Sequence, residues 1–389
     1  MDEKMVKNTY ISLFSSAGVG CYGFKQENFE CIATNELLQK RLQIQIWNHK
    51  CKYQSGYICG DILKPEIIQK IYQEIYFWKQ NEQLTDITTI ISTPPCQGMS
   101  IANHKKKKQE TRNSLVVESL KLIKDVKPKT FVIENVRAFL TTLCIDVDGK
   151  QKKIADAINN NLAELYNIEF KVLNFKDYGS NSSRTRTLVI GIRKDIKVNP
   201  NALFPDKQKD KTIKEVIGNL EPLTYMNQVS KDDIYHSFRE YNPEMKKWIK
   251  DLKEGESAFD NNDESCVPHY FKNGIRIFTK NKNRDKYTRQ CWNKTAACIH
   301  TRNDTLASQN TIHPSDNRVF SIRELMKFMT IPDSFKWSYL EFEKLNQLSL
   351  KEKETFIRKN ELNIRQSIGE AVPTIIFSQI ANKIKKNKI

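Results

Sequence analysis

The feature that most constrains the fold is an alternation of strand-like runs and helix-length segments in the first half of the chain. The apolar or β-branched runs that predict strands are "TYISLF", "ECIATNE", "YICGDI", "DITTIIS", "KTFVIEN", "EFKVLNF" and "TLVIGIR". Helical segments, such as Pro65 to Gln80 and Asn113 to Asp125, separate several of them. This alternation predicts a mostly parallel α/β sheet with helices on both faces. Ligands of such sheets bind beyond the carboxyl ends of the strands.

The second half of the chain follows a different pattern. From Asp195 to about Asn317 the sequence is polar, with scattered aromatic residues and charge-rich stretches, which predicts a second, irregular domain. Helical periodicity returns in "SIRELMKFM" and in "EAVPTIIFSQIANKIKK". Pro373 must lie in the first turn of that last helix or break it.

The composition is strongly basic. Lys plus Arg is 63 and Asp plus Glu is 46, so the formal charge is 63 − 46 = +17. A polyanionic partner explains this excess, because each neutralised phosphate releases counterions. A lysine-rich surface without such a partner explains it equally well.

Cysteine usage and hydropathy exclude other classes of protein. The nine cysteines are an odd number without C-x-x-C spacing, so we expect neither a disulfide framework nor a structural metal. No apolar run approaches the ~20 residues that span a bilayer. The charged N-terminus shows no secretory signal, and we therefore expect a cytoplasmic protein.

A glycine-containing turn and two acids indicate a nucleoside site. "LFSSAGVGCYGF" follows the first strand, and its small residues let the backbone turn sharply and approach a ligand closely. Glu36, at the end of the second strand, can accept hydrogen bonds from the two hydroxyls of a ribose. Asp61, after the third strand, can accept one from an adenine amino group. Glycine turns also occur as structural joints without a ligand. The prediction of a nucleoside site therefore depends on the order of the turn, Glu36 and Asp61 along the chain.

Cys96 follows the fourth strand in "TPPCQ". The prolines restrict the backbone at the bend, which favours a thiol presented at the ligand edge, although a single cysteine is more often buried and inert. Glu134 in "FVIENV", one strand further on, favours a chemical role for that thiol. A carboxyl at the end of a hydrophobic strand is partly desolvated, which raises its pKa and keeps a proton available. The alternative is an acid paired with a neighbouring arginine.

Two arginines and a basic loop are further candidates for the functional site. "SSRTRTLVIGIR" has Arg184 and Arg186 before another strand, where alternation puts both side chains on one face. They can bind a carbonyl oxygen, a phosphate or Glu134, or they can be solvated. The loop "SIANHKKKKQETRN", from Ser100 to Asn113, is either a solvated surface loop or a segment that closes over a polyanion.

In this order the motifs resemble those of the DNA (cytosine-5)-methyltransferases, particularly the bacterial enzymes of restriction–modification systems. "LFSSAGVG" is similar to the cofactor loop of that family, "PPCQGMS" to its catalytic loop, "ENV" to its acid motif and "SRTRT" to its arginine motif. "IRELMKFMTIPDSF" resembles the element that supports the recognition domain, and "IRQSIGEAVP" resembles the last motif, which returns to the cofactor. The chain departs from the family pattern at Ser16, Val19, Ser182 and Glu370, none of which is a reacting group.

The resemblance implies an architecture and partners. It implies a Rossmann-like S-adenosylmethionine-dependent methyltransferase sheet with a second, smaller and irregular target-recognition domain. Residues 1–196 would form the catalytic cofactor-binding domain, residues 197–360 the recognition domain, and residues 361–389 a segment that returns to the catalytic domain. The implied cofactor is S-adenosylmethionine, without a metal, and the implied partner is double-stranded DNA. We expect a monomer, with a cognate restriction endonuclease in the same system but without direct contact.

The resemblance also implies a mechanism. The Cys96 thiolate would add to carbon 6 of cytosine while Glu134 protonates or hydrogen-bonds ring nitrogen 3, so that carbon 5 can take a methyl group. Loss of the carbon-5 proton and elimination of the thiol would restore the ring. Arg186 would hold the carbonyl oxygen of the base, and Arg184 would order the site. Because a duplex hides carbon 5, the base would be flipped by ~180°.

Further residues are assigned by the same resemblance. Those assigned to the cofactor are Phe14, Ala17, Gly18, Glu36, Asp61, Ile62 and Pro95. Those assigned to DNA are Gln97, Ser100, Lys105, Lys106 and Arg112. The basic loop would then close on the DNA backbone and hold the extruded nucleotide.

Other functions fit part of the sequence. One branch of the family modifies cytosine in tRNA, but it usually has a compact recognition region, whereas the long variable segment here favours DNA. A catalytically silent DNA-binding relative is disfavoured because Cys96, Glu134 and Arg186 are all retained. An amino-methylating enzyme is disfavoured because its loop ends in an aromatic residue after the two prolines.

Overall fold

A computed structural model describes residues 7–95, 113–279 and 285–389. The chain divides into two compact units. The first unit comprises Met1–Tyr178, Thr185–Lys207 and Val372–Ile389. The second unit comprises Gly179–Arg184 and Gln208–Ala371.

The units end at different residues from the predicted domains. The first unit extends past residue 196 to Lys207, because Leu203 and Phe204 are buried in its core. The second unit extends past residue 360 to Ala371, because one continuous helix runs through the predicted boundary. The return to the first unit therefore begins at Val372, eleven residues later than the predicted residue 361.

The first unit is built on a seven-stranded sheet. The strands of the described residues, in chain order, are β1 (Thr9–Leu13), β2 (Glu30–Glu36), β3 (Tyr57–Cys59), β4 (Thr89–Ser92), β5 (Thr130–Val136), β6 (Leu143–Ile145), β7 (Gln151–Lys153), β8 (Tyr166–Asn174), β9 (Thr185–Arg193), β10 (His269–Lys272) and β11 (Ile275–Phe278). The order in the large sheet is β3-β2-β1-β4-β5-β9-β8. Strands β1 to β5 pair in parallel, and β9 pairs antiparallel with β5 and β8. The predicted mostly parallel α/β sheet is confirmed.

The helices in the described residues are α1 (Tyr22–Gln26), α2 (Gln39–Trp47), α3 (Pro65–Asn81), α4 (Leu115–Val126), α5 (Ile154–Leu162), α6 (Ile213–Ile217), α7 (Pro243–Ile249), α8 (Ile322–Phe328), α9 (Phe342–Asn346), α10 (Leu350–Glu370) and α11 (Thr374–Lys386). Four of these helices, α3, α4, α8 and α11, correspond to the periodic segments of the sequence, and the others were not predicted. Pro373 is the N-cap residue of α11, one residue outside the first turn, so α10 and α11 are separate helices. In the described part of the chain, no helix is long and apolar enough to cross a membrane.

Both faces of the large sheet are buried at its central strands β1 and β4. Adjacent strand residues point to opposite faces, so Ile90 belongs to the core under α3, α4 and α5, whereas Ile91 belongs to the core under α1 and α11. Strands covered on both faces need continuous apolar runs, which is why β4 and β5 lack the polar alternation of a half-exposed strand. In β4 and β5 the polar residues lie towards the ends of each strand.

The second unit has a smaller apolar core and a buried ionic network. Trp248, Ile249 and Leu306 belong to its core. Arg318, which is 1% exposed, donates to both carboxylate oxygens of Glu324 at 2.7 and 2.8 Å. Burial raises the pKa of Glu324, but the charge of Arg318 outweighs burial and holds that pKa well below its usual range. A buried ion pair of this geometry fixes the start of α8, where Glu324 also accepts from the Ser321 backbone.

Candidate active site

The carboxyl ends of four neighbouring strands meet at one edge of the large sheet. Leu13 of β1 lies beside Asn35 of β2 on one side and beside Ser92 of β4 on the other, and Ser92 lies beside Ile133 of β5. The predicted acids and the loop before Cys96 follow these positions directly. The structure therefore brings most of the predicted residues of the first unit to a common edge.

The β1 loop, residues 14–18, is held by Glu36 at the end of β2. The Ser16 backbone N–H donates to Glu36 Oε2 at 2.7 Å, and the Leu38 N–H donates to Glu36 Oε1 at 3.0 Å. Glu36 is 8% exposed, so these contacts are largely shielded from water. The two N–H groups together fix the orientation of the Glu36 carboxylate at the end of β2.

The β1 loop contains two strained residues, Phe14 and Ser16. Phe14, Ser16 and Gly18 all have left-handed conformations, with φ values of 56°, 45° and 78°. Ser16 stands where the related family usually has glycine, and its φ explains that preference, because this conformation disfavours a side chain. Ala17, which lies between Ser16 and Gly18, is 2% exposed. Such strain is often kept where a ligand requires an unusual backbone.

Asp61 and Ile62 follow β3 as predicted, but with different environments. Asp61 is partly exposed, and its Oδ1 accepts from the Leu63 N–H at 3.1 Å. Ile62 is 2% exposed, and its side chain belongs to the hydrophobic core. The assignment of Asp61 and Ile62 to the cofactor stays a prediction.

The residues before Cys96 are attached to two neighbouring strands. The Thr93 N–H donates to Leu13 O at 3.2 Å, and Thr93 Oγ1 donates to Phe14 O at 2.9 Å. On the other side, Asn135 Nδ2 donates to Pro94 O at 2.9 Å. Asn135 is 3% exposed, so it is a buried positioning residue for this loop. Neither the contact of Asn135 with Pro94 nor those of Thr93 were predicted from the sequence.

Pro95 is the last described residue of this loop. The residues predicted to react with or contact DNA in the segment that follows are Cys96, Gln97, Ser100, Lys105, Lys106 and Arg112. They lie outside the described residues, and their roles stay predictions.

Glu134 and Arg186 form an ion pair between β5 and β9. Arg186 Nε lies 3.3 Å from Glu134 Oε1, and Glu134 is 6% exposed. In the antiparallel pair Glu134 is opposite Leu188, so Arg186 is its diagonal neighbour on the same face. Arg186 Nη1 also donates to its neighbour's carbonyl, Thr185 O, at 2.7 Å. The structure thus contains the acid–arginine pair that the sequence offered as an alternative, at the same edge as the β1 loop.

Arg184 has different partners from Arg186. It belongs to the second unit, where Nη1 donates to Ile299 O at 3.1 Å and Nη2 donates to Gly369 O at 3.2 Å. Arg184 is 3% exposed, so its charge is used to join two backbone segments of the second unit. Arg184 therefore binds carbonyl oxygens, one of the partners that the sequence allowed for it, and its implied role in ordering the catalytic site stays a prediction.

The C-terminal segment packs behind the β1 loop. Thr374 Oγ1 donates to Val19 O at 3.2 Å. A Cβ on Gly23 would lie 2.5 Å from both Ser378 N and Thr374 O, so only glycine lets α1 and α11 approach this closely. This proximity agrees with the implied return of the last motif toward the cofactor loop.

Comparisons with known proteins agree with this arrangement. The chain is 30% identical over 393 residues to Type II methyltransferase M1.HgaI of Avibacterium volantium, covering 96% of this chain and 97% of the relative. The fold is similar to that of a prophage-encoded E. coli chain assigned as a DNA modification methyltransferase, with a TM-score of 0.64, 17% identity and coverage of 98% and 99% of the two chains. It is also similar to the S. pombe Dnmt2 methyltransferase, with a TM-score of 0.58, 13% identity and coverage of 98% and 100%.

The match to a family model is nearly as long as the chain. Residues 8–386 match the model of the C-5 cytosine-specific DNA methylases. This range includes the β1 loop, the edge with Glu134 and Arg186, and the whole second unit. The chain therefore belongs to the C-5 cytosine-specific DNA methylase family.

Proposed function

We propose that this enzyme transfers the methyl group of S-adenosylmethionine to carbon 5 of cytosine within a specific double-stranded DNA sequence. The observation that carries the proposal is the pair of Glu134 and Arg186, 3.3 Å apart at the strand edge where the Pro-Cys loop begins. A buried carboxyl and a guanidinium are the two groups that the ring of a cytosine needs, one at nitrogen 3 and one at its carbonyl oxygen. Membership of the family supplies the reaction class.

The cofactor would bind at the carboxyl ends of β1, β2 and β3. S-adenosylmethionine, when bound, supplies an electrophilic methyl group. Glu36 would accept hydrogen bonds from the ribose hydroxyls, and the N–H groups of Ser16 and Leu38 support this role because they fix the orientation of its carboxylate. Asp61 would accept from the adenine amino group, a role that its partial exposure after β3 supports. The left-handed turn at Gly18 allows close approach of the backbone to a ligand.

The chemistry proposed for the protein's own groups has three parts. The Cys96 thiolate adds to carbon 6, which forms a covalent bond and makes carbon 5 nucleophilic. Glu134 shares or donates a proton at nitrogen 3, and Arg186 holds the carbonyl oxygen and the carboxyl together in one geometry. After carbon 5 takes the methyl group, that carbon loses its proton and the thiol is eliminated, so the aromatic ring is restored.

The second unit would recognise the DNA target. Its hairpin β10–β11 exposes Tyr270 by 53%, Phe271 by 61% and Ile275 by 68%. Arg276 lies over Phe271, with 5.9 Å between the guanidinium carbon and the ring centroid. A two-stranded ribbon fits the major groove, which is ~12 Å wide, and exposed aromatic and guanidinium groups are suited to contacts with bases.

The proposal also includes flipping of the target base out of the duplex. It further includes a role in restriction–modification, because the chain covers 97% of a relative that is named a Type II methyltransferase.

Expression in a methylation-free host, followed by bisulfite sequencing, tests the activity and identifies the target together. We expect converted reads to retain cytosine at one recurrent sequence.

Cys96→Ser should abolish methyl transfer while S-adenosylmethionine binding, measured by calorimetry, stays largely intact. Robust turnover by that variant would contradict covalent catalysis. Methylation of tRNA in place of duplex DNA would instead favour the RNA-modifying branch of the family.

A further inference from the structure

A buried polar network lies directly beneath the β1 loop, and the proposed chemistry uses none of its side chains. Its members are Ser15, Thr34, Gln45 and Lys50, which are 8%, 0%, 1% and 8% exposed. All four belong to the first unit. Lysine and glutamine are rarely buried this deeply unless their polar atoms are matched, so the network requires a physical explanation.

The Gln45 side-chain amide is at the centre of the network. Its Nε2 donates to Ser16 O at 2.6 Å and to Ser15 Oγ at 2.9 Å. Its Oε1 accepts from Thr34 Oγ1 at 2.7 Å and from Lys50 Nζ at 3.0 Å. These bonds use both donors and both acceptor sites of the amide, which is therefore fully satisfied.

Lys50 determines which way the amide points. An ammonium group has only donors, so it requires the oxygen of the amide, and the nitrogen must then face Ser16. Lys50 Nζ also donates to Thr34 Oγ1 at 2.9 Å, which anchors the ammonium on β2. A rotation of the amide by half a turn would place two donors against each other and two acceptors against each other.

The peptide groups of Ser16 are consequently held from both sides. Its carbonyl accepts from Gln45, and its N–H donates to Glu36 Oε2 at 2.7 Å. Ser16 has a φ of 45°, a conformation that a serine keeps only when its surroundings impose it. Gly18, two residues further along the loop, also packs against the Gln45 side chain, since a Cβ on Gly18 would lie 3.0 Å from Gln45 Cγ.

We propose that Gln45 and Lys50 are positioning residues for cofactor binding. The ammonium orients the amide, the amide holds the strained Ser16 peptide, and that peptide orients the Glu36 carboxylate toward the ribose. The inference rests on the proposed function, because it assumes that the β1 loop and Glu36 bind S-adenosylmethionine. Neither side chain touches the reacting atoms in this scheme.

The substitution Gln45→Glu isolates the donor that matters. A carboxylate keeps the size of the side chain and still accepts from Thr34 and Lys50, but it cannot donate to Ser16 O. We expect the dissociation constant and the KM for S-adenosylmethionine to rise about tenfold, the worth of one well-placed hydrogen bond. The kcat at saturating cofactor and the KM for unmethylated genomic DNA should stay within about threefold, because the DNA-facing groups are untouched. Gln43→Glu makes the same chemical change on α2 at a half-buried position and is the matched control.

Two more variants keep the outcomes distinct. Lys50→Met keeps the stem and removes the cation, and we expect the same split between cofactor KM and kcat, so it decides the question if Gln45→Glu does not fold. Cofactor affinity like that of the wild type in a folded Gln45→Glu or Lys50→Met protein would overturn the proposal. An equal loss of cofactor affinity in Gln43→Glu would also overturn it. Glu36→Ala and the wild type test the underlying function. We expect Glu36→Ala to bind S-adenosylmethionine more weakly than the wild type does. The function itself fails if the wild type shows no specific cofactor binding, and the cofactor site fails if Glu36→Ala binds as tightly as the wild type.

Discussion

At the residue scale, the Glu134 carboxyl is the group whose environment most directly supports a chemical role. It is 6% exposed and lies 3.3 Å from Arg186 Nε. We predict that Glu134→Gln lowers kcat by about 10²- to 10⁴-fold, the usual contribution of a positioned acid. The variant should bind S-adenosylmethionine normally, because Glu36 and the β1 loop are unchanged. Single-turnover methylation of duplex DNA measures the effect, with Glu169→Gln on β8 as control.

Activity close to that of the wild type in Glu134→Gln would remove the carboxyl from the mechanism. An equal loss in the control would indicate general damage to the sheet. The neighbouring Arg186 is expected to keep its place in the variant, since it also donates to Thr185 O.

At the element scale, the contact between α1 and α11 depends on one glycine. A Cβ at position 23 would lie 2.5 Å from Ser378 N and from Thr374 O, which are backbone atoms that cannot rotate away. We predict that Gly23→Ala destabilises the protein by about 1–3 kcal/mol, the usual cost of overpacking. Urea unfolding measures this, and Gln26→Ala, an exposed position on α1, is the control. No change in the unfolding midpoint would show that the two helices can separate without cost.

The hairpin β10–β11 is the element for which we predict a direct effect on DNA. Arg276→Ala should weaken DNA binding and reduce the slope of log affinity against log salt by about 1 if the guanidinium contacts a phosphate. If it reads a base, Arg276→Lys should retain most of the affinity but relax the methylated sequence, since the fork of the guanidinium is lost. Fluorescence anisotropy and bisulfite sequencing measure these outcomes. Unchanged binding and an unchanged methylation pattern in both variants would exclude the hairpin from the interface.

At the scale of the whole molecule, the ionic network of the second unit makes stability depend on pH. Burial lowers the pKa of His313 to about 4, although Glu324 and Asp316 within 4 Å act in the opposite direction. An unfolded histidine has a pKa near 6.5, so between pH 6.5 and about 4 residue 313 is protonated in the unfolded chain and neutral in the folded protein. The contribution of His313 to the free energy of unfolding is therefore complete above pH 6.5 and is lost as the pH falls towards 4.

We predict a loss of about 2 kcal/mol from this residue between pH 7.5 and pH 5. His313→Asn should reduce the pH dependence, because an amide oxygen can accept from Ser315 and Asp316 N–H, as His313 Nδ1 does, without titrating. Urea unfolding of both proteins at the two pH values measures the difference. Parallel pH dependence in the two proteins would show that other groups carry the acid sensitivity.

Much of the architecture was predictable because its signals are local. The predicted helix from Pro65 to Gln80 is α3, one residue longer, since periodicity and the early proline are encoded in neighbouring residues. The strand predicted from "YICGDI" is shorter, Tyr57–Cys59, because Gly60 adopts a φ of 145° that ends it. The irregular character of the second unit was also evident from its polar sequence.

The sequence by itself determined the alternation of strands and helices, the order of the motifs and the types of side chain at each strand end. Only the tertiary structure decided which groups pair, because contacts such as that of Asn135 with Pro94 depend on the order and register of the strands. The same holds for Arg184, whose partners are carbonyl oxygens more than a hundred residues away. It holds most for Gln45 and Lys50, which carry no motif in the sequence and acquire a role only through the strained loop that they support.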